Sequence, residues 1–286
     1  MLETTKKAGG ASAIDYYLER HEQEHVGGWY ERDRGGHPVG ILRDPGGVVS
    51  GMAAADKWGR VDRGRLRLMA RGYLPDGTRV AHNADSPKRV IGIDFTYSAP
   101  KGVSLTLAEA ERSGDRQLAD GIKKALMGAV NDAQAFMDAK TAQARFGSGE
   151  QVPVRTVGAG FLHYDSRAGE PNAHVHFFQW SHGKTPDGRF GTIDPEAPRR
   201  WKHAGGSAFR ASLAQRLREM GIPIRTFSDR HGNMLMDVAG VPDDVKRAFS
   251  SRRETLEHAR DQAERGGALT NPRAFAAAVA KNTRQA

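Results

Sequence analysis

FLHYDSRAGEPNAHVHFFQW, residues 161–180, is two apolar runs joined by a polar turn that carries glycine and proline. Two interior strands are expected, through Val154–Tyr164 and Ala173–Ser181, with the turn Ala168–Ala173 folding one back beside the other. His174 and His176 are two apart, so in a strand both imidazoles leave the same face. His163 lies eleven residues before His174 and falls on the partner strand. Three histidines from adjacent strands can form a facial N₃ metal site with positions open for substrate oxygens. They can equally be hydrogen-bonded sheet histidines, and spacing alone does not choose.

Working outward, Val90–Ser98 alternates cleanly. Ile91, Ile93, Phe95 and Tyr97 share one face, and Gly92, Asp94, Thr96 and Ser98 the other. Asp94 is thereby placed on the polar face, as a carboxylate that orients a metal-binding histidine, a base for a nucleophile, or a satisfied surface aspartate. Ile122, Leu126, Val130, Ala133 and Met137 recur at helical spacing within Asp115–Ala142, and Phe209, Leu213, Leu217 and Met220 do so before Gly221. A hairpin is expected at Ile222–Phe227 and Met234–Val238, followed by helices near 242–265 and 272–283. Antiparallel strands with segregated helices make the fold class α+β. No linker forces a domain boundary within the 286 residues.

Composition narrows the chemistry. There is no cysteine, which excludes disulfides, thiolate ligands and cysteine nucleophiles. Any metal must be held by histidine or carboxylate. The net charge of +9 fits an anionic partner, and residues 199–286 hold 17 Lys/Arg against 9 Asp/Glu. That basic third suits either a nucleic-acid channel or solvated helix faces. No apolar stretch is long enough for a membrane span and the first residues carry no secretory signal, so the expected location is the cytoplasm. Near the N-terminus Tyr16 and Tyr17 open a predicted helix, and Tyr30 follows Trp29. A phenol with a pKa of roughly 10 becomes a nucleophile only with help from a base or metal; otherwise such tyrosines are packing residues.

These pieces resemble one family. GIDFTYSAPKGVSL (residues 92–105) closely resembles the motif of conjugative relaxases of the TrwC/TraI type, the MobF class of HUH endonucleases. The histidine segment resembles the same family's HUH motif, with His163 followed by Tyr-Asp-Ser-Arg167. FRASLAQRLREMGI (209–222) and VKRAFSSRRETLE (245–257) are similar to later blocks, and VAKNTRQA (279–286) resembles the place where a relaxase domain hands over to a helicase. The resemblance implies an antiparallel palm bearing the histidines, flanking helices, and a basic, mostly helical lid over about residues 199–286 of a single relaxase domain. It also implies that the chain is the N-terminal part of a longer relaxase–helicase.

The resemblance further implies the roles. Tyr16 attacks the scissile phosphodiester and forms a 5′-phosphotyrosine, leaving a free 3′-hydroxyl. His163, His174 and His176 hold one divalent cation: Mg²⁺ or Mn²⁺ in use, with Zn²⁺, Ni²⁺ or Cu²⁺ favoured by ligand softness. Asp94 orients a histidine or takes the tyrosine proton, and Lys101 and Arg167 are candidates for DNA contact. The expected partners are single-stranded and hairpin DNA at a plasmid origin of transfer, with accessory relaxosome proteins and a coupling protein. One departure stands out: where the family carries a second tyrosine pair, this chain has Trp29-Tyr30 after a longer spacer. Tyr30 is either a second nucleophile or dispensable, and Tyr17 is the remaining member of the intact pair. The competing readings are a rolling-circle replication initiator with the same chemistry, an origin-binding repressor that does not cut, and an unrelated small-molecule metalloenzyme.

Overall fold

The three strands expected at Val90–Ser98, Val154–Tyr164 and Ala173–Ser181 lie side by side in the main sheet. The computed structural model describes residues 1–9, 13–14, 40–49, 59–61, 63–147, 149–166, 169–229 and 232–250. Over these the chain forms β1 (Leu2–Ala8), β2 (Gly40–Arg43), β3 (Gly59–Val61), α1 (Arg63–Arg71), β4 (Val90–Ser98), α2 (Lys101–Ser113) and α3 (Arg116–Thr141). It continues with β5 (Gln143–Arg145), β6 (Gln151–Pro153), β7 (Gly158–Asp165), β8 (Pro171–Trp180), β9 (His182–Lys184) and β10 (Phe190–Ile193). Last come α4 (Ala197–Glu219), β11 (Ile224–Ser228), β12 (Met234–Val238) and α5 (Asp243–Ala248).

The main sheet has six strands in the order β1-β4-β8-β7-β2-β3, every neighbour antiparallel. Two smaller antiparallel sheets accompany it, β6-β5-β10-β9 and the β11-β12 hairpin. The α+β class expected from the sequence is the one observed.

Pleating gives the palm two different faces. Ile93, Phe95 and Tyr97 of β4 and Val175 and Phe177 of β8 pack against α2, α3 and α4 through Leu107, Ile122, Leu126, Phe209 and Leu213. Helix α4, the start of the basic C-terminal third, thus shares this core. Phe161, Phe178 and Trp180 point the other way and meet Leu66 and Met69 of α1 with Val48 and Val49. Gly92 is required there, because a Cβ on it would stand 2.5 Å from the Phe178 ring.

Helix α3 starts where its N-cap predicts: Asp115 accepts from the Leu118 N–H at 3.0 Å. It is tied to the palm by buried polar groups as well as apolar ones. Tyr97 donates to Gln134 at 3.1 Å, Gln134 donates to Gln179 at 3.0 Å and to Asp138 at 3.1 Å, and Arg43 reaches Asp138 at 2.5 Å. Burial raises the Asp138 pKa, and Arg43 acts against that shift. Among the described residues no helix is long and apolar enough to cross a membrane.

Beyond the palm, His182 is enclosed beside a buried arginine. Arg89 Nη2 donates to His182 Nδ1 at 3.2 Å, and His182 Nε2 lies 3.3 Å from Thr192 Oγ1. Burial first, and the Arg89 charge second, lower the His182 pKa from 6.5 to about 4. The unfolded chain therefore takes up this proton near 6.5, while the folded chain resists it down to about 4. The stability that depends on neutral His182 is complete above the unfolded value and is lost as pH falls toward the folded one, by up to about 3 kcal/mol. Urea unfolding at pH 7 and pH 5 should show His182→Gln losing less stability on acidification than the wild type; equal losses would show that His182 is not the group concerned.

Candidate metal centre

The three histidines reach one place because of register. His163 on β7 is paired directly with His174 on β8, and His176 lies opposite Phe161 on one side and Thr96 on the other. All three side chains leave the face opposite α2, α3 and α4. Their ring centres are 5.1–5.2 Å apart in every pairing. A metal–nitrogen bond of about 2.1 Å, with angles near tetrahedral, separates the ring centres by about 5 Å.

Hydrogen bonds behind the rings fix which nitrogen is offered. The Nδ1 of His176 lies 3.0 Å from both carboxylate oxygens of Asp94 and 3.2 Å from Thr96 Oγ1. The Nδ1 of His174 lies 2.7 Å from the Asn172 carbonyl oxygen. Both acceptors require N–H at Nδ1, so each Nε2 carries the lone pair that a cation needs. Among the described residues no group of three or more His, Cys, Asp or Glu side chains has the donor-atom geometry of a metal site. The fit therefore rests on the donor set, the ring spacing and the hydrogen bonds behind the rings.

Asp94 lies on the face read from the alternation, but it is not solvated there: it is 3% exposed. His176 covers it on one side. On the other, Lys7 of β1 crosses over Gly92, its register partner, and brings Nζ to 3.5 Å from Asp94 Oδ2. Lys7 was missed in the sequence because LETTKKA has too few apolar residues to show a buried strand face; the β-branched pair Thr4-Thr5 was the available signal.

The model of the TrwC relaxase family matches residues 3–286, nearly the whole chain. The chain belongs to the TrwC relaxase family. Membership carries the reaction class, nicking of a DNA strand at an origin of transfer in conjugation. Solved TrwC relaxases share the fold of this relaxase. A metal-bound TrwC in complex with oriT DNA is 24% identical with a TM-score of 0.70, over 98% of this chain and 90% of that one. A copper-bound TrwC–oriT complex is 23% identical with a TM-score of 0.69, over 99% and 98%. TrwC with a 27-mer DNA comprising the recognition hairpin and the cleavage site is 22% identical with a TM-score of 0.68, over 98% and 90%. A search of curated protein sequences gives no match.

The remaining site candidates of the relaxase fall in two groups. Tyr16, Tyr17, Tyr30 and Arg167 lie outside the described residues, as does the helix expected near 272–283; of the one expected near 242–265, α5 (Asp243–Ala248) is described and residues 251–265 are not. Lys101 is described, and its ammonium donates to two backbone carbonyls, Pro171 at 2.9 Å and Phe249 at 2.7 Å.

Proposed function

We propose that this relaxase cleaves one strand at an origin of transfer by attack of Tyr16 on the scissile phosphodiester, beside a divalent cation held by His163, His174 and His176. The observation that carries the reading is the convergence of three imidazoles on one sheet face, two of them with Nδ1 already committed to an acceptor. When bound, the cation polarises the phosphate and stabilises the charge that develops on its oxygens. Mg²⁺ or Mn²⁺ fits a phosphate substrate, while the imidazole set also suits Zn²⁺, Ni²⁺ or Cu²⁺.

The chain's own residues supply the rest. Asp94 accepts the His176 Nδ1–H, which holds that ring in one tautomer and orientation. Lys7 sets its ammonium 3.5 Å from the same carboxylate, so Asp94 has an ion-pair partner on the side away from His176. The Tyr16 oxygen bonds to phosphorus as the bond to the 3′-oxygen breaks; the phenolic proton leaves to Asp94 or to water, and the departing 3′-oxygen takes a proton from water to become the 3′-hydroxyl. The phosphotyrosine conserves a phosphoester bond, so the 3′-hydroxyl can reverse the step without ATP. Tyr17 lies next to the nucleophile, and one catalytic tyrosine suffices, with Tyr30 dispensable. Arg167, four residues past His163, is a DNA-contact residue.

The substrate is single-stranded at the nick, held by a basic groove and by base stacking. The TrwC complexes contain oriT DNA, one of them with its recognition hairpin, and we extend that hairpin recognition to this chain. Residues 1–286 form one relaxase domain in this reading, with a basic lid drawn from about 199–286, acting in the cytoplasm with accessory relaxosome proteins and a coupling protein.

Single-stranded oligonucleotides spanning the origin, incubated with Mn²⁺, Mg²⁺ or EDTA, test this. Cleavage at one position in either metal and none in EDTA is expected. Tight binding without cleavage in any metal would leave an origin-binding repressor.

A further inference from the structure

Lys101 opens α2 directly after β4, the strand that carries Asp94. Its ammonium joins two places far apart in sequence: Pro171 O, at the first residue of β8, and Phe249 O, just past the end of α5. The residue after Pro171 is Asn172, whose carbonyl takes the His174 Nδ1–H at 2.7 Å. One side chain thus anchors the strand end that orients a histidine of the centre. The ammonium is half-buried, and that burial lowers its pKa.

A second tie lies beside the first. The Gly102 N–H donates to Asp237 Oδ1 of β12 at 3.0 Å, and Asp237 Oδ2 pairs with Lys246 Nζ of α5 at 2.8 Å, both side chains only 10% exposed. A Cβ at position 102 would collide with that carboxylate. The start of α2, the hairpin and α5 are therefore locked together at the edge of the metal strand.

We propose that Lys101 is a positioning residue, which couples the seating of α5 to the orientation of His174, and that its ammonium does not bind DNA phosphate. The proposal rests on His174 being a metal ligand, as above. Two of the three N–H donors of Lys101 are already spent on backbone carbonyls. A phosphate contact would require breaking that tie.

Lys101→Met and Lys101→Arg, made in the full chain, separate the two roles by three measurements. Calorimetric titration of the DNA-free protein with Ni²⁺ should show the methionine variant binding about 10–100-fold more weakly. Amide exchange at Phe249 and Ser250 should be faster by about tenfold or more, since one more tie to α5 is gone. The salt dependence of single-stranded oligonucleotide binding, measured in EDTA, should keep its slope. Arginine, with donors enough for both carbonyls, should restore Ni²⁺ affinity and slow exchange.

A slope lower by about 0.7 with unchanged Ni²⁺ affinity would overturn the proposal in favour of a phosphate contact. Unchanged exchange in both variants would overturn it as well, and so would a failure of arginine to rescue. If the methionine variant does not fold, the arginine variant and its slope decide. A wild-type protein that takes up no Ni²⁺ would instead defeat the metal reading of the histidines, and with it the link to His174; exchange and slope would still judge the tie itself.

Discussion

Alanine at His163, His174 or His176 is expected to lower the nicking rate by about a thousand-fold or more, with the fold retained. The reasoning starts from what a cation at this place supplies, several kcal/mol of stabilisation for the phosphate's developing charge. At 1.36 kcal/mol per factor of ten, losing most of it reaches that magnitude. No neighbour can replace a lost ring easily: His163 is 1% and His174 6% exposed, so each ring is enclosed by the palm. Substitution should also remove measurable binding of Mn²⁺ or Ni²⁺, while the melting temperature without metal changes little beyond the cost of a buried cavity. Variants that keep full nicking while losing metal affinity would show that the histidines serve only the sheet.

Asp94→Asn is expected to weaken metal binding by about 10–100-fold and nicking by at least as much. Its shape is nearly that of aspartate, so packing is preserved and the change is electrostatic. The carboxylate accepts from His176 Nδ1 through both oxygens at 3.0 Å and lies 3.5 Å from Lys7. Asparagine has one acceptor and one donor. With its NH₂ turned to His176, the imidazole must accept at Nδ1 and carry its proton on Nε2, the wrong tautomer for a ligand. With its carbonyl turned there, the tautomer survives but the negative charge does not. Metal titration and single-turnover nicking measure the two effects together; a variant with normal affinity and lost nicking would assign Asp94 to proton transfer instead.

Much of the palm was legible because period-two alternation is strong in β4 and β8, where Phe95, Tyr97, Val175 and Phe177 mark one face and Asp94, His174 and His176 the other. Helix α3 was legible for the same reason at period 3.6, with Asp115 as its start. What did not show had weak local signals. Helix α1 reads RGRLRLMAR, charged at four of nine positions, and its burial depends on meeting Phe161 and Trp180. The strands β5, β6 and β9 are three residues each, too short for any period to register. Asp94 was placed on the right face, but its burial could not be read, because β1 had not been seen and Lys7 lies on it. Lys101 is a DNA-contact candidate because it matches a basic motif position of the family; its carbonyl partners at positions 171 and 249, which are 70 and 148 residues away, leave no local signal in the sequence.

The most direct measurement is to trap the protein–DNA adduct in Mn²⁺ with an origin oligonucleotide, digest it, and identify the modified residue by mass spectrometry. A 5′-phosphate on Tyr16, absent with EDTA and absent from Tyr16→Phe, is the predicted result. A metal-dependent adduct that persists in Tyr16→Phe, or that maps to another residue, would contradict it.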